Sequence, residues 1–329
     1  MNEINSLVVQ KQVKSIQYLL KAFQNDKLHH ALLFTGVEGI GKLSTALQFS
    51  MLCNCENLSD NLMIHSSCKH CRSCLKFLSG QHPDLIKITP DGSAIKILQI
   101  RMLRKQLTYK PIEAKNRFVI IIQAQLMTTE SANALLKILE EPPVRTRFIL
   151  IVENQKDVLD TISSRCQQVR FRPLSERFIA HDIMKENETN KEFARMIAKL
   201  SFGSYIRANI YQKRKWQTKR VFIFDCLMQL DRMSTGMRLS FAEQLAKKQE
   251  DIPLILEIMF TWLRDIMIYR FCPHLIINID YQKSIYECAK KYSCSTVVEQ
   301  IEKVQMIQKD LSSNINKRLA FEALTMSII

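Results

Sequence analysis

Glycine is scarce in this chain, with seven in 329 residues. Three of the seven, Gly36, Gly39 and Gly41, fall within six positions, so that stretch is not compositional noise. Acidic residues are also short: 32 Asp and Glu stand against 47 Lys and Arg, a net charge of +15. This balance suits a polyanionic neighbour such as nucleic acid, and equally an ordinary Lys-rich surface kept soluble by charge. No apolar run approaches the ~20 residues of a membrane span, and Met1 to Ser6 lacks the basic-then-apolar layout of a signal peptide. No internal repeat or low-complexity tract is found. With these classes set aside, the expectation is a cytoplasmic globular protein of two or three domains, and 47% apolar residues suffice for real cores.

The clustered glycines open a phosphate-binding pattern, Gly36-Val37-Glu38-Gly39-Ile40-Gly41-Lys42. In the full pattern, G-x-x-x-x-G-K-[ST], backbone N–H groups wrap phosphates, the lysine reaches the outer ones and the hydroxyl holds Mg²⁺. Here the hydroxyl position is Leu43, which cannot ligate a cation. Ser44 comes one residue late, rotated about 100° on a helix. Lys42 therefore has two readings, a phosphate partner or the end of a loop that merely makes a tight strand-to-helix turn.

The context fits such a loop. Helical spacing over 7–23 is followed by the apolar run Ala31-Leu32-Leu33-Phe34, the loop, and a helix over 43–52. Strands are expected at 84–88, 118–122, 148–152 and about 169–171. The β-branched run Phe118-Val119-Ile120-Ile121-Ile122 marks a strand buried on both faces of a parallel sheet. Helices are expected over 97–107 and 131–141, the second stopped by Pro142-Pro143. Strands alternating with helices to about residue 172 give a parallel α/β domain. Residues 173–212 then read as a small domain of about three short helices, and 213–329 as long amphipathic helices. The basic run from Lys213 to Arg220 marks the joint, read as a solvated linker with DNA contact as the alternative.

Ten cysteines in a cytoplasmic chain point to metal or free thiols rather than disulfides. Cys68-x-x-Cys71-x-x-Cys74 gives three thiolates at tight spacing within a module at about 53–80. A fourth from Cys55 would close a structural Zn²⁺ site, with Cys53 as the alternative and His65 and His70 as competitors. Cys166, Cys226, Cys272, Cys288 and Cys294 are scattered.

ATP hydrolysis also needs carboxylates after the strand facing the loop, to organise Mg²⁺ and position water. Gln123-Ala124-Gln125 follows that strand instead. Two losses in one chemical step argue against intrinsic ATPase activity. Ser164-Arg165-Cys166 offers an arginine that could serve a neighbour's γ-phosphate, or could simply be a surface ion-pair residue.

Taken together, several segments resemble one family. They are His29-His30-Ala31-Leu32-Leu33-Phe34, the loop at 36–42, the cysteines followed by His82-Pro83-Asp84, the run Asn133-Ala134-Leu135-Leu136-Lys137-Ile138-Leu139-Glu140-Glu141-Pro142-Pro143, and Ser164-Arg165-Cys166. They look like the clamp-loader subunits of bacterial DNA polymerase III, within the AAA+ superfamily. The likeness is strong over about 5–172. Toward the C-terminus it rests on Trp262-Leu263-Arg264-Asp265 and Asn316-Lys317-Arg318-Leu319-Ala320-Phe321-Glu322-Ala323-Leu324. Leu43, Ile122-Gln123 and Ile206 (with Arg207 one place off), where the gamma/tau motor carries a hydroxyl, an Asp-Glu pair and an arginine, make the chain similar to the delta-prime branch.

The resemblance implies an AAA+ α/β domain over 1–172, a helical lid over 173–212 and an oligomerising collar over 213–329. It implies a non-hydrolysing member of a ring with gamma/tau and delta subunits, which loads a sliding clamp onto primer–template DNA. Arg165 would act there as an arginine finger in trans. The competing readings are an autonomous ATPase using Lys42 and a basic DNA-binding module without ring partners.

Overall fold

Uninterrupted apolar runs become the strands of a parallel sheet in the computed structural model, which describes residues 12–57, 67–187, 190–247, 252–310 and 316–327. Two compact units emerge, one containing residues 1–175 and 202–207, the other 176–201 and 208–329. Leu7, Val8 and His65 lie outside the described residues.

In the first unit, α1 (Val13–Gln24) leads to β1 (Ala31–Thr35), the glycine loop and α2 (Lys42–Cys53). Next come α3 (Arg72–Leu78), β2 (Leu85–Ile88), α4 (Ile97–Leu107) and β3 (Arg117–Ile122). The remainder is α5 (Thr129–Glu140), β4 (Thr146–Ile151), the short α6 (Asp160–Ser163) and β5 (Gln167–Arg170). The sheet order is β2-β3-β4-β1-β5, all pairs parallel.

Period-two alternation divides the strand side chains between two cores. Leu32, Phe34, Phe118, Ile120 and Ile149 face α1, α2 and α3, where Phe49 meets Phe23 and Phe118 edge-on. Leu33, Val119, Ile121, Phe148 and Leu150 face Leu103, Leu135 and Ile162 on α4, α5 and α6. Burial on both faces explains why β3 carries no polar alternation. This is the parallel α/β core that the sequence led one to expect. Helix α5 starts two residues earlier than its apolar spacing suggests, because the Thr128 hydroxyl accepts from the Ser131 N–H at 3.3 Å and caps it.

A fully buried carboxylate ties the first strands together. Asp84 accepts from the N–H groups of Ile112, Glu113 and Ala114 at 2.7–2.8 Å and pairs with buried Arg117 at 3.2 Å. Arg117 also donates to the carbonyls of Gln106, Tyr109 and Lys110. Burial pushes the Asp84 carboxyl up, but these donors outweigh it and hold it below the usual range.

The second unit is helical among its described residues. It comprises α7 (Glu176–Asn187), α8 (Lys191–Leu200), most of α9 (Tyr205–Gln212) and α10 (Arg214–Gln229). It continues through α11 (Thr235–Ala246), α12 (Ile252–Tyr269), α13 (Gln282–Lys291), α14 (Cys294–Asp310) and α15 (Lys317–Ser327). Helix α12 is central, burying Leu256, Met259, Trp262, Leu263 and Ile266.

The solvated-linker reading of 213–220 is corrected here, because the run forms the first half of α10. Trp216 and Arg220 are spaced one turn apart and both are buried. The Arg220 guanidinium sits 4.7 Å from the Phe224 ring centroid and 5.2 Å from that of Tyr281. It donates to Asn278 and to both carboxylate oxygens of Asp280. Asp265, from the Trp262-Leu263-Arg264-Asp265 match, caps the same segment by accepting from the Ile277 and Asn278 N–H groups.

Candidate functional site

The carboxyl ends of β1, β3 and β4 converge on a cleft of about 370 Å³, the position where open α/β sheets place ligands. The glycine loop forms one wall, with Gly36, Gly39 and Gly41 all at positive φ. Two of these glycines are required by packing. A Cβ on Gly36 would lie 2.7 Å from the Phe171 carbonyl, and one on Gly39 would lie 2.3 Å from the Ser204 hydroxyl. The Gly39 carbonyl accepts from the Tyr205 N–H at 2.9 Å, which fastens 202–207 over the loop.

Lys42 opens α2 and is buried, but its ammonium turns back on its own loop. It donates to the carbonyls of Gly36 and, at 2.8 Å, Val37. Burial lowers its pKa to about 8, against the opposing pull of Glu153 and Glu38. Those carboxylates are the residues that motif reading missed. Glu153 stands two residues past β4, and an acidic residue just beyond a buried parallel strand was the available signal. Leu43, Gln123 and Ile206 all line the cleft. Ser44 lines it too.

The lysine gives a pH prediction with a definite sign. Below about pH 8 Lys42 is charged folded and unfolded, and the cost of burying it is fully present. From about 8 up to the ordinary lysine range, the folded chain gives up the proton before the unfolded chain does, so stability gains as pH rises. Native protein should therefore gain up to about 3 kcal/mol relative to Lys42→Met between pH 8 and 10.5. Urea unfolding at half-unit pH steps reads the difference, and a pH-independent gap would contradict the assignment.

Cys55, Cys68, Cys71 and Cys74 bring their sulfurs within 4.8 Å of one another. Zn–S bonds of about 2.3 Å in a tetrahedron require sulfurs about 3.8 Å apart, and Cys68 and Cys74 stand at 3.8 Å. The N–H of Cys71 points at the Cys68 sulfur (3.3 Å) and that of Cys74 at Cys71 (3.4 Å). Burial raises the Cys68 thiol, but donors from the Cys71 backbone and neighbouring groups outweigh it and bring it to about 6. The four cysteines fit a closed metal site. Cys53 ends α2 within the same core but is not in the four-sulfur group, and burial pushes its thiol well up. The His70 ring bonds the Cys68 carbonyl at 2.6 Å and is not in the group.

Arg165 lies just beyond α6, on the surface of the same unit. The run Ser164-Arg165-Cys166 divides its labour. Ser164 turns its hydroxyl onto the Thr161 carbonyl, and Cys166 packs against the core below α5 and α6. Between them Arg165 lies half-buried at the surface, donating to the Thr161 carbonyl (2.9 Å) and pairing with Glu140 at 2.7 Å.

Comparison with known proteins brings these observations together. A family model described as DNA polymerase III, delta subunit, matches residues 11–175, and one described as DNA polymerase III, delta subunit, C terminal, matches 214–328. The chain is 29% identical over 331 residues to DNA polymerase III subunit delta' of Bacillus subtilis, covering 99% of this chain and 97% of that one. It is 27% identical to the delta' subunit of Escherichia coli, covering 94% and 92%. Among solved structures, a gamma subunit-related protein of Thermotoga maritima aligns over 94% of this chain and 97% of its own, at 16% identity and a TM-score of 0.46.

Proposed function

Because the chain belongs to the delta-prime family of DNA polymerase III clamp-loader subunits, we propose that it is the stationary, non-hydrolysing member of the ring. The observation that carries this reading is the make-up of the cleft. Leu43 stands where the magnesium hydroxyl belongs, Gln123 where a carboxylate belongs, and Lys42 is satisfied by its own loop. Charge stabilisation at a γ-phosphate by an arginine needs a guanidinium at an accessible surface, and the half-buried Arg165 keeps part of its side chain accessible beside Glu140.

On this reading Arg165 completes the ATP site of an adjoining gamma/tau motor subunit. Residues 173–212 serve as the lid and 213–329 as the collar, with a delta subunit as the other partner. The assembly places the sliding clamp on primer–template DNA in the cytoplasm. Cys55, Cys68, Cys71 and Cys74 hold a structural Zn²⁺, which as a closed four-thiolate site supplies cross-linking and no chemistry.

Glu38 and Glu153 beside Lys42 favour one rival, an autonomous ATPase with a rearranged metal site. Mixing purified chain with motor and delta subunits separates the readings. Co-elution as one defined complex, with no ATP turnover by the chain alone, is the expected result. Failure to co-elute, with steady turnover by the isolated chain, would reject the stationary role.

A further inference from the structure

The ion pair between Arg165 and Glu140 joins residues 25 positions apart, brought together where the last turn of α5 meets the end of α6. Both partners are solvent-accessible, so the pair contributes little to folding. Its consequence is orientation. An arginine side chain carries roughly 2 kcal/mol of rotamer entropy, and a guanidinium that must meet a phosphate spends less of it if already held. Here Nη2 meets the Glu140 carboxylate and Nη1 the Thr161 carbonyl. Of the five N–H donors of a guanidinium, those two contacts engage two, and among the described residues three are left for a further anion.

We propose that Glu140 is a positioning residue for Arg165, holding the guanidinium in a single pose from which it meets a neighbour's γ-phosphate. This rests on the arginine-finger reading of Arg165 given above. The carboxylate does not touch the nucleotide. It restricts the arginine to one direction, and Pro142-Pro143, by ending α5 just beyond it, fix where the carboxylate stands. The backbone carbonyl of Thr161 cannot be lost by substitution, so removing Glu140 loosens the arginine without freeing it.

The test uses the reconstituted ring of this chain with motor and delta subunits, and follows single-turnover ATP hydrolysis. Rings carry Glu140→Ala, Glu140→Gln, Arg165→Ala or the double substitution Glu140→Ala/Arg165→Ala, and each is checked for assembly by size exclusion. In Glu140→Ala rings the phase that depends on Arg165 should slow about twofold to fivefold, the scale of an exposed pair, with the apparent KM for ATP unchanged. Glu140→Gln, which keeps an acceptor, should recover part of the loss. In the Arg165→Ala background, Glu140→Ala should have no further effect. An equal loss in both backgrounds would mark Glu140 as merely structural and overturn the proposal. So would an unchanged rate in Glu140→Ala rings when Arg165→Ala is slow. An Arg165→Ala ring that hydrolyses normally would overturn the finger reading itself, and the positioning role with it.

Discussion

Arg165→Ala should slow hydrolysis at the adjoining motor site by about a thousandfold, the lower end of what an arginine finger contributes to phosphoryl transfer. The loss should appear as one phase missing from the single-turnover time course of the ring. The size follows from charge. The γ-phosphoryl group spreads negative charge over its equatorial oxygens in the transition state, and a guanidinium in a water-poor interface meets it there. Arg165 is suited to this because, among the described residues, two of its five donors are engaged by its own chain. Folding should be nearly indifferent, since an exposed ion pair contributes little stability. An Arg165→Ala chain with native unfolding behaviour and native ring turnover would remove the finger from the account.

The second large effect concerns the cysteine module. Purified chain should carry about one equivalent of zinc. Stripping it with a chelator, or replacing Cys74 with serine, should cost on the order of 5 kcal/mol and lower Tm by about 10 °C or more. The expectation is large because the module is not an appendage. Cys55, Cys71 and Cys74 lie in the same apolar core as Phe49 and Phe118, and Cys74 is fully buried. Phe77 of the same short helix stacks on His82 at 4.3 Å, two residues from the Asp84 node. Without a metal the four thiols would lose their cross-link, and the three in that core would be left as poorly paired buried sulfurs. Less than half an equivalent of zinc after gentle preparation, together with a Tm that chelation does not move, would reject the metal site.

The features legible in the sequence are those whose physics is local. A strand buried on both faces is apolar over an unbroken run, so residues 118–122 in β3 and 148–151 in β4 announce themselves. A glycine loop between such a strand and a helix is equally plain, as is a triple cysteine spacing. The substitution at Leu43 can be read in one residue, because a magnesium ligand has no replacement among aliphatic side chains. The features that stayed hidden depend on distant residues meeting. Asp84 and Arg117 form a buried pair 33 positions apart, and nothing in a charged residue opening an apolar run reveals its partner. The basic run at 213–220 reads as solvated because its charges are consecutive. Its helix is decided by the spacing of Trp216, Arg220 and Phe224, and by an acceptor set at Asn278 and Asp280 nearly sixty residues away. Segment 202–207 joins the sheet unit because Gly39 has no side chain to keep Ser204 and Tyr205 off.

The central claim is that this chain keeps an ATPase scaffold to serve a neighbour's site rather than its own. The most direct measurement compares ATP turnover by two reconstituted rings that differ only in this chain, one with Lys42→Met and one with Arg165→Ala. Near-native turnover with Lys42→Met and loss of a hydrolysis phase with Arg165→Ala is the result predicted. Loss of turnover with Lys42→Met while Arg165→Ala remains active would show that the chain hydrolyses in its own cleft, and would contradict the account.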